Sequence, residues 1–263
     1  MKSIRFIIVV AVMLVAAGLV MRHAPTESSE IDVPEVIVDS VPAYAQKLMK
    51  AYPEKITAYK SNYIFFSDGD SLVFDDSVNK GYLDRLDYAD IQDMMCQEYT
   101  RDSVPEYLND AGRARCDAFF RKMYGSTESE ARSSLVPVDW FGGKVMFTSV
   151  NGAAENLRKV ESELLGYPEL IDYLKGASTF NWRKVRGAER MSAHSYGIAI
   201  DINVKWSDYW LWSYKNVAET DSIGYKNRIP LKIVEVFEDH GFIWGGRWYH
   251  YDTMHFEYRP ELL

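Results

Sequence analysis

The stretch from Ser192 to Asn203 constrains this chain more than any other, because it passes at a glycine from irregular sequence into strict alternation. From Ile198 onward, Ile198, Ile200 and Ile202 share one face of an extended strand, while Ala199, Asp201 and Asn203 share the other. The isoleucine face belongs in a core. On the polar face, small Ala199 leaves room beside Asp201, and Gly197 permits a sharp turn that returns His194 to the same side. A histidine and a carboxylate are thereby expected to converge. Alone, this His-x6-Asp spacing is a weak signal, since an aspartate on a solvated strand face is ordinary.

A second stretch changes that weighting. In Gly245-Gly246-Arg247-Trp248-Tyr249-His250-Tyr251-Asp252-Thr253-Met254-His255-Phe256-Glu257-Tyr258, ionisable groups sit among large aromatics. Met254, Phe256 and Tyr258 form one face of a strand, His255 and Glu257 the other, so His255 is expected to face the same cleft as Asp201. Asp252 lies just ahead, in a turn. Catalytic zinc takes about three protein ligands and keeps one position open. His194, Asp201 and His255 supply three, and Asp252 is placed to act as the base, its pKa raised by desolvation among the aromatics. Glu257 is a candidate acceptor for an imidazole of the site. His250 is surplus to the ligand set and is assigned to hydrogen bonding or packing of the cleft wall. His240, at the end of a helix, reads as structural. Trp206, Trp210, Trp212, Trp244 and Trp248 read as core.

The pattern Ser192-x-His194-x-x-Gly197-x-Ala199-x-Asp201 with Asp252-x-x-His255 resembles the zinc D-alanyl-D-alanine carboxypeptidase and L-alanyl-D-glutamate peptidase family, the peptidoglycan metallopeptidases of the hedgehog/DD-peptidase fold. The resemblance covers roughly residues 151–263, and includes segments similar to Thr179-Phe180-Asn181-Trp182-Arg183 and Gly241-Phe242-Ile243-Trp244-Gly245-Gly246. It implies one Zn(II) per chain on His194, Asp201 and His255, Asp252 as catalytic base, and stem peptides of peptidoglycan as substrate. It also implies a substrate-binding arginine before the first motif. Arg183 is the candidate and Arg190 the competitor. Whether a terminal D-alanine is released or the L-alanyl-D-glutamate bond is cut stays open.

The remainder of the chain frames this site. Lys2 and Arg5 precede an apolar run from Phe6 to Met21 that is followed by Arg22 and His23. This is an export signal, and its length lies just under the roughly 17–25 residues of a spanning helix, so residues 1–23 are read as signal peptide or signal anchor. Residues 24–38 have the composition of a flexible linker. Residues 39–140 are expected to form an extension with a helix over 42–51, a β-hairpin over 63–74 turning at Asp68-Gly69, and helices over 82–99 and 108–124. Residues 141–263 are the expected catalytic domain, with a strand over 144–150, a helix capped by Asn151, and a last helix from Pro230 to Gly241. The fold class is α+β: a small antiparallel sheet flanked by helices, carrying the zinc site. Export places the chain in the cell envelope, membrane-anchored or free outside the cytoplasm. Cys96 and Cys116 are then either a disulfide or two small buried hydrophobes. A net charge of -8 without a basic stripe argues against a nucleic-acid partner. Two other readings stand beside the enzyme: a catalytically silent zinc-containing module that binds or scaffolds cell wall, and a plain membrane-anchored structural protein.

Overall fold

A computed structural model describes residues 40–101 and 104–263. The expected signal or anchor over 1–23 and the linker over 24–38 lie outside the described residues. Among the described residues, no helix is long and apolar enough to cross a membrane.

Helices and small antiparallel sheets are mixed throughout, an α+β arrangement. Helix α1 (Ala43–Ala51) starts after Pro42, whose fixed φ suits a helix entry, and leads to a meander of β1 (Ile56–Lys60), β2 (Tyr63–Phe66) and β3 (Ser71–Val73). The β2–β3 hairpin turns at Asp68-Gly69 as expected; β1 is an added edge strand that the alternation of Ile56-Thr57-Ala58-Tyr59 marks only faintly. Short helices α2 (Tyr82–Tyr88), α3 (Asp117–Tyr124) and α4 (Glu128–Ser133) follow. Next come the β4 (Leu135–Trp140) and β5 (Gly143–Thr148) hairpin, α5 (Ala153–Leu164), α6 (Ile171–Leu174), β6 (Ala199–Asp201), α7 (Trp210–Ser213), α8 (Leu231–Asp239), β7 (Phe242–Trp244) and β8 (His255–Tyr258).

Several expected helices are cut short for local reasons. The one expected over 82–99 ends at Tyr88, because Ala89 is extended and the Asp90 carboxylate takes the Asp93 N–H at 2.7 Å, a side-chain bond that competes with the helical one. The one expected over 108–124 begins only at Asp117, since Leu108 and Gly112 both have positive φ. Asn151 does not cap α5: it sits in the preceding 3-10 turn with positive φ, and its side chain donates to the Ala51 carbonyl at 2.9 Å. Cys96 and Cys116 are free thiols.

The sheet that positions the site has the order β6-β8-β7, antiparallel throughout. Its apolar side packs on α8, with Phe237 stacked on Phe256 at 3.9 Å between ring centroids, and Ile198, Ile200, Ile202, Phe242 and Trp244 fully buried. Removing a ring such as that of Phe256 from this layer would cost about 3–5 kcal/mol. Residues Asp39–Leu263 form one compact unit. The position 140/141, expected as the join between extension and catalytic part, falls at the end of β4, whose ladder to β5 runs from Leu135↔Thr148 to Trp140↔Gly143. Polar ties also cross it. The Tyr52 hydroxyl donates to Glu261 at 2.6 Å, the Tyr99 hydroxyl to Glu238 at 2.6 Å, and the Trp248 indole to the Ala111 carbonyl at 2.6 Å.

Candidate metal centre

The antiparallel register sets Asp201 directly across from His255, and Ala199 across from Glu257. Cross-strand partners share a sheet face, so Asp201, His255 and Glu257 project to the same side. His194 arrives from a 3-10 turn, Ala193–Tyr196, in which Ser192 Oγ accepts from the His194 N–H, and which ends at Gly197 with φ +66°. The positive φ favours glycine there, and a Cβ would also press on the Leu135 side chain at 2.4 Å.

Three donor atoms meet there. His255 Nδ1 lies 2.8 Å from Asp201 Oδ1, His194 Nε2 lies 3.2 Å from the same oxygen, and the two ring nitrogens are 3.2 Å apart. The outward-facing nitrogens decide the tautomers. His194 Nδ1 faces the Thr179 carbonyl oxygen, which can only accept, so Nδ1 carries the hydrogen. His255 Nε2 faces Glu257 Oε1 at 2.9 Å. Burial would raise the Glu257 carboxyl, but Arg115 at 2.9 Å and the bond to His255 hold it down at about 2, so it too accepts. Two nitrogen lone pairs and one carboxylate oxygen therefore point at one another in a site sheltered from water, an arrangement that demands a positive charge between them. The same demand appears in the protonation equilibria. Although burial acts to lower it, hydrogen bonds to Asp201 and Glu257 push the His255 imidazole up to about 10; Asp201 is held far below the carboxylate range by His194 and His255 despite its own burial. An N,N,O donor set with imidazoles oriented by a carbonyl and a carboxylate fits zinc.

Asp252 stands at the same cleft. Its N–H donates to the Gly245 carbonyl at 2.9 Å, and the two segments approach so closely that a Cβ on Gly245 would lie 2.5 Å from the Asp252 carbonyl oxygen. Burial, opposed by His255, pushes the Asp252 carboxyl up to about 7, and its Oδ1 is buried without a hydrogen-bond partner among the described residues. The cleft is a cavity of about 420 Å³ that His194, Asp201, Asp252 and His255 all line.

Both candidate arginines reach this cavity. Arg183 is exposed, with its guanidinium on the Lys184 carbonyl and no ion pair among the described residues; Arg190 is buried and paired with Asp87 at 2.5 Å. Arg113 and Arg115 line it as well, delivered by the irregular segment before α3. Nothing in the sequence around them announces this, because the segment lacks periodicity and its partners lie far along the chain. Trp244 and Trp248 are buried as expected, whereas Trp212 is half exposed at the cavity. His240 caps α8 and meets Glu163 at 3.2 Å, a structural role. Asp75, Asp76 and Asp90 form a second acidic group, but the Lys80 ammonium, 2.6 Å from Asp76 and 3.4 Å from Asp90, already supplies its positive charge.

Among family models, that described as D-alanyl-D-alanine carboxypeptidase matches residues 186–258, a segment that contains all four of His194, Asp201, Asp252 and His255 and begins after Arg183. Neither the curated proteins nor the solved structures give a match.

Proposed function

From the premise that residues 186–258 are those of the D-alanyl-D-alanine carboxypeptidase family, we propose that this peptidase is a zinc enzyme hydrolysing the stem peptides of peptidoglycan. The observation that carries the reading is the convergence of His194 Nε2, Asp201 Oδ1 and His255 Nδ1 within 3.2 Å of one another, in a cavity that Asp252 also lines. Zinc held by these three residues would supply Lewis acidity toward a peptide carbonyl and would make a water easier to deprotonate.

The chain's own groups do the rest. Asp252, raised toward neutral pH by burial, takes the proton of the attacking water and passes it to the leaving nitrogen. Arg183, free of a carboxylate partner among the described residues, pairs with a carboxylate of the substrate through its planar fork. Glu257 and the Thr179 carbonyl keep the two imidazoles in the tautomers that leave His255 Nδ1 and His194 Nε2 available. Export and tethering through residues 1–23 belong to the same proposal, since they would bring the cleft to its polymer.

The test is incubation of the zinc-loaded full chain with defined muropeptides, followed by mass analysis of the products. Free D-alanine identifies a carboxypeptidase, and fragments parted between L-alanine and D-glutamate identify an endopeptidase. Retained zinc with no cleavage would replace this reading with the silent wall-binding module.

A further inference from the structure

On the reading proposed above, Asp252 serves the attacking water as base, but the oxygen of the scissile carbonyl, which gains negative charge as water adds, still lacks a hydrogen-bond donor from the chain. A tyrosine on the wall of the same cleft is placed to be that donor. Tyr209 stands directly across an antiparallel bridge from Asp252, and partners across such a bridge direct their side chains to one side. Both line the cavity that His194, Asp201 and His255 also line. The placement is fixed on either side of the bridge. The Asp208 N–H donates to Thr253 Oγ1 at 2.7 Å, the Thr253 N–H to the Asp208 carbonyl at 2.9 Å and the Trp210 N–H to the Tyr251 carbonyl at 3.0 Å. Trp212 packs edge-on against the Tyr209 ring at 5.9 Å between centroids.

The tip of this side chain is open. Tyr124, Tyr196 and Tyr251 end in hydroxyls sealed inside the protein, whereas Tyr209 is only half-buried, and its hydroxyl stays accessible and reaches no acceptor among the described residues. The Trp210 indole N–H bears on the hydroxyl oxygen, but an indole can only donate, so the phenolic hydrogen is left free. Burial and the Asp252 carboxylate push the phenol above its ordinary value, against the opposing pull of Arg113. The group therefore keeps its hydrogen at neutral pH. It offers a hydrogen bond and not a proton, while proton transfer stays with Asp252.

We infer that Tyr209 is a catalytic residue whose hydroxyl donates a hydrogen bond to the oxygen of the scissile carbonyl, a bond that strengthens as that oxygen gains charge. This rests on the stem-peptide reading above. It serves either bond of the stem, since every peptide bond carries such an oxygen.

Tyr209→Phe removes the one oxygen and keeps both the ring and the bridge. In steady-state kinetics of the zinc-loaded full chain on a defined muropeptide, it should lower kcat by about 10²-fold, the lower end of the loss when one oxyanion donor is removed. KM should stay within about threefold of wild type, because the bond counts in the transition state and little in the ground state. Zinc content should equal that of the wild type. A phosphinate analogue of the muropeptide, whose tetrahedral oxygens stand in for the reacting centre, should lose affinity by a similar factor, which a packing role would not produce. A folded, zinc-bearing phenylalanine variant whose kcat stays within about twofold of wild type overturns the inference, as does a loss confined to KM. Should that variant lose its fold or its zinc, Tyr209→Gln, which keeps an N–H donor, is compared with Tyr209→Met, of similar length without one. Gln faster than Met by about tenfold sustains the inference, and equal rates overturn it. A wild-type chain that cuts no stem peptide refutes the parent reading and takes this inference with it, an outcome distinct from an active wild type that the Tyr209 variants match.

Discussion

Two imidazoles close together in the chain are treated in opposite ways. His255 has its Nε2 held by Glu257 and turns Nδ1 toward the other donors of the site, whereas His250 has its Nδ1 held by Asp110 and keeps Nε2 buried. In both, a buried carboxylate chooses which nitrogen is free. The neighbours of that free nitrogen then choose the chemistry. His255 Nδ1 finds an imidazole and a carboxylate within 3.2 Å, a cage for a cation; His250 Nε2 is buried and has no hydrogen-bond partner among the described residues. The lesson is that a histidine's role is read from the atoms around its unclaimed nitrogen, since both rings are buried and both are anchored by a carboxylate.

The contrast predicts graded effects. The largest belongs to the cage: His194→Ala should abolish zinc retention after dialysis and reduce hydrolysis by roughly a thousandfold or more, because two remaining donors make a poor site. A variant that keeps both its zinc and its rate would dissolve the distinction between the two histidines. Next, Asp252→Asn should leave zinc in place while lowering kcat by about 10²–10⁴, the range of a lost general base, as metal analysis beside single-turnover kinetics would show.

The anchoring carboxylate comes third. Glu257→Gln should weaken metal affinity by about 10- to 100-fold, measured by competition with a chelator, since His255 loses the partner that fixes its tautomer. The rate also carries a pH signature. A base works only when ionised, and burial pushes the Asp252 carboxyl up to about 7, so kcat/KM should fall as pH drops through that value. Asp252→Asn should erase this limb. The smallest effect is expected at the cleft edge, where Arg183→Ala should raise KM by about tenfold or less, with zinc unchanged, because an exposed guanidinium is screened by solvent. If Arg190→Ala raises KM more, the substrate carboxylate lies deeper, beside Asp87.

The cage was legible in the sequence because strands alternate with a period of two. Once Ile198, Ile200 and Ile202 are assigned to the core, Asp201 must face the other way, and the same rule orients His255 and Glu257 opposite Phe256. The register that pairs Asp201 with His255 follows from burying both apolar faces on one side. The second histidine's anchor was not legible. Asp110 lies 140 positions from His250, in a segment read as helical but bent by positive φ at Leu108 and Gly112, and no periodicity marks a chain that runs irregularly across a cleft. The helix expected through Tyr99 failed for a related reason: Asp90 and Asp93 bond locally and to Lys80, a choice that propensity does not reveal.

Pairing across a ladder also separates what heredity must keep from what it is free to change. Because Asp201 and His255 are joined by register, the excursion of chain between β6 and α8, with Trp212 and Glu219 on it, can lengthen, shorten or be rewritten beyond Tyr209 without moving either ligand. A lineage built on this plan would hold its chemistry constant while its appetite for different peptides drifted, and the drift would be recorded in that excursion.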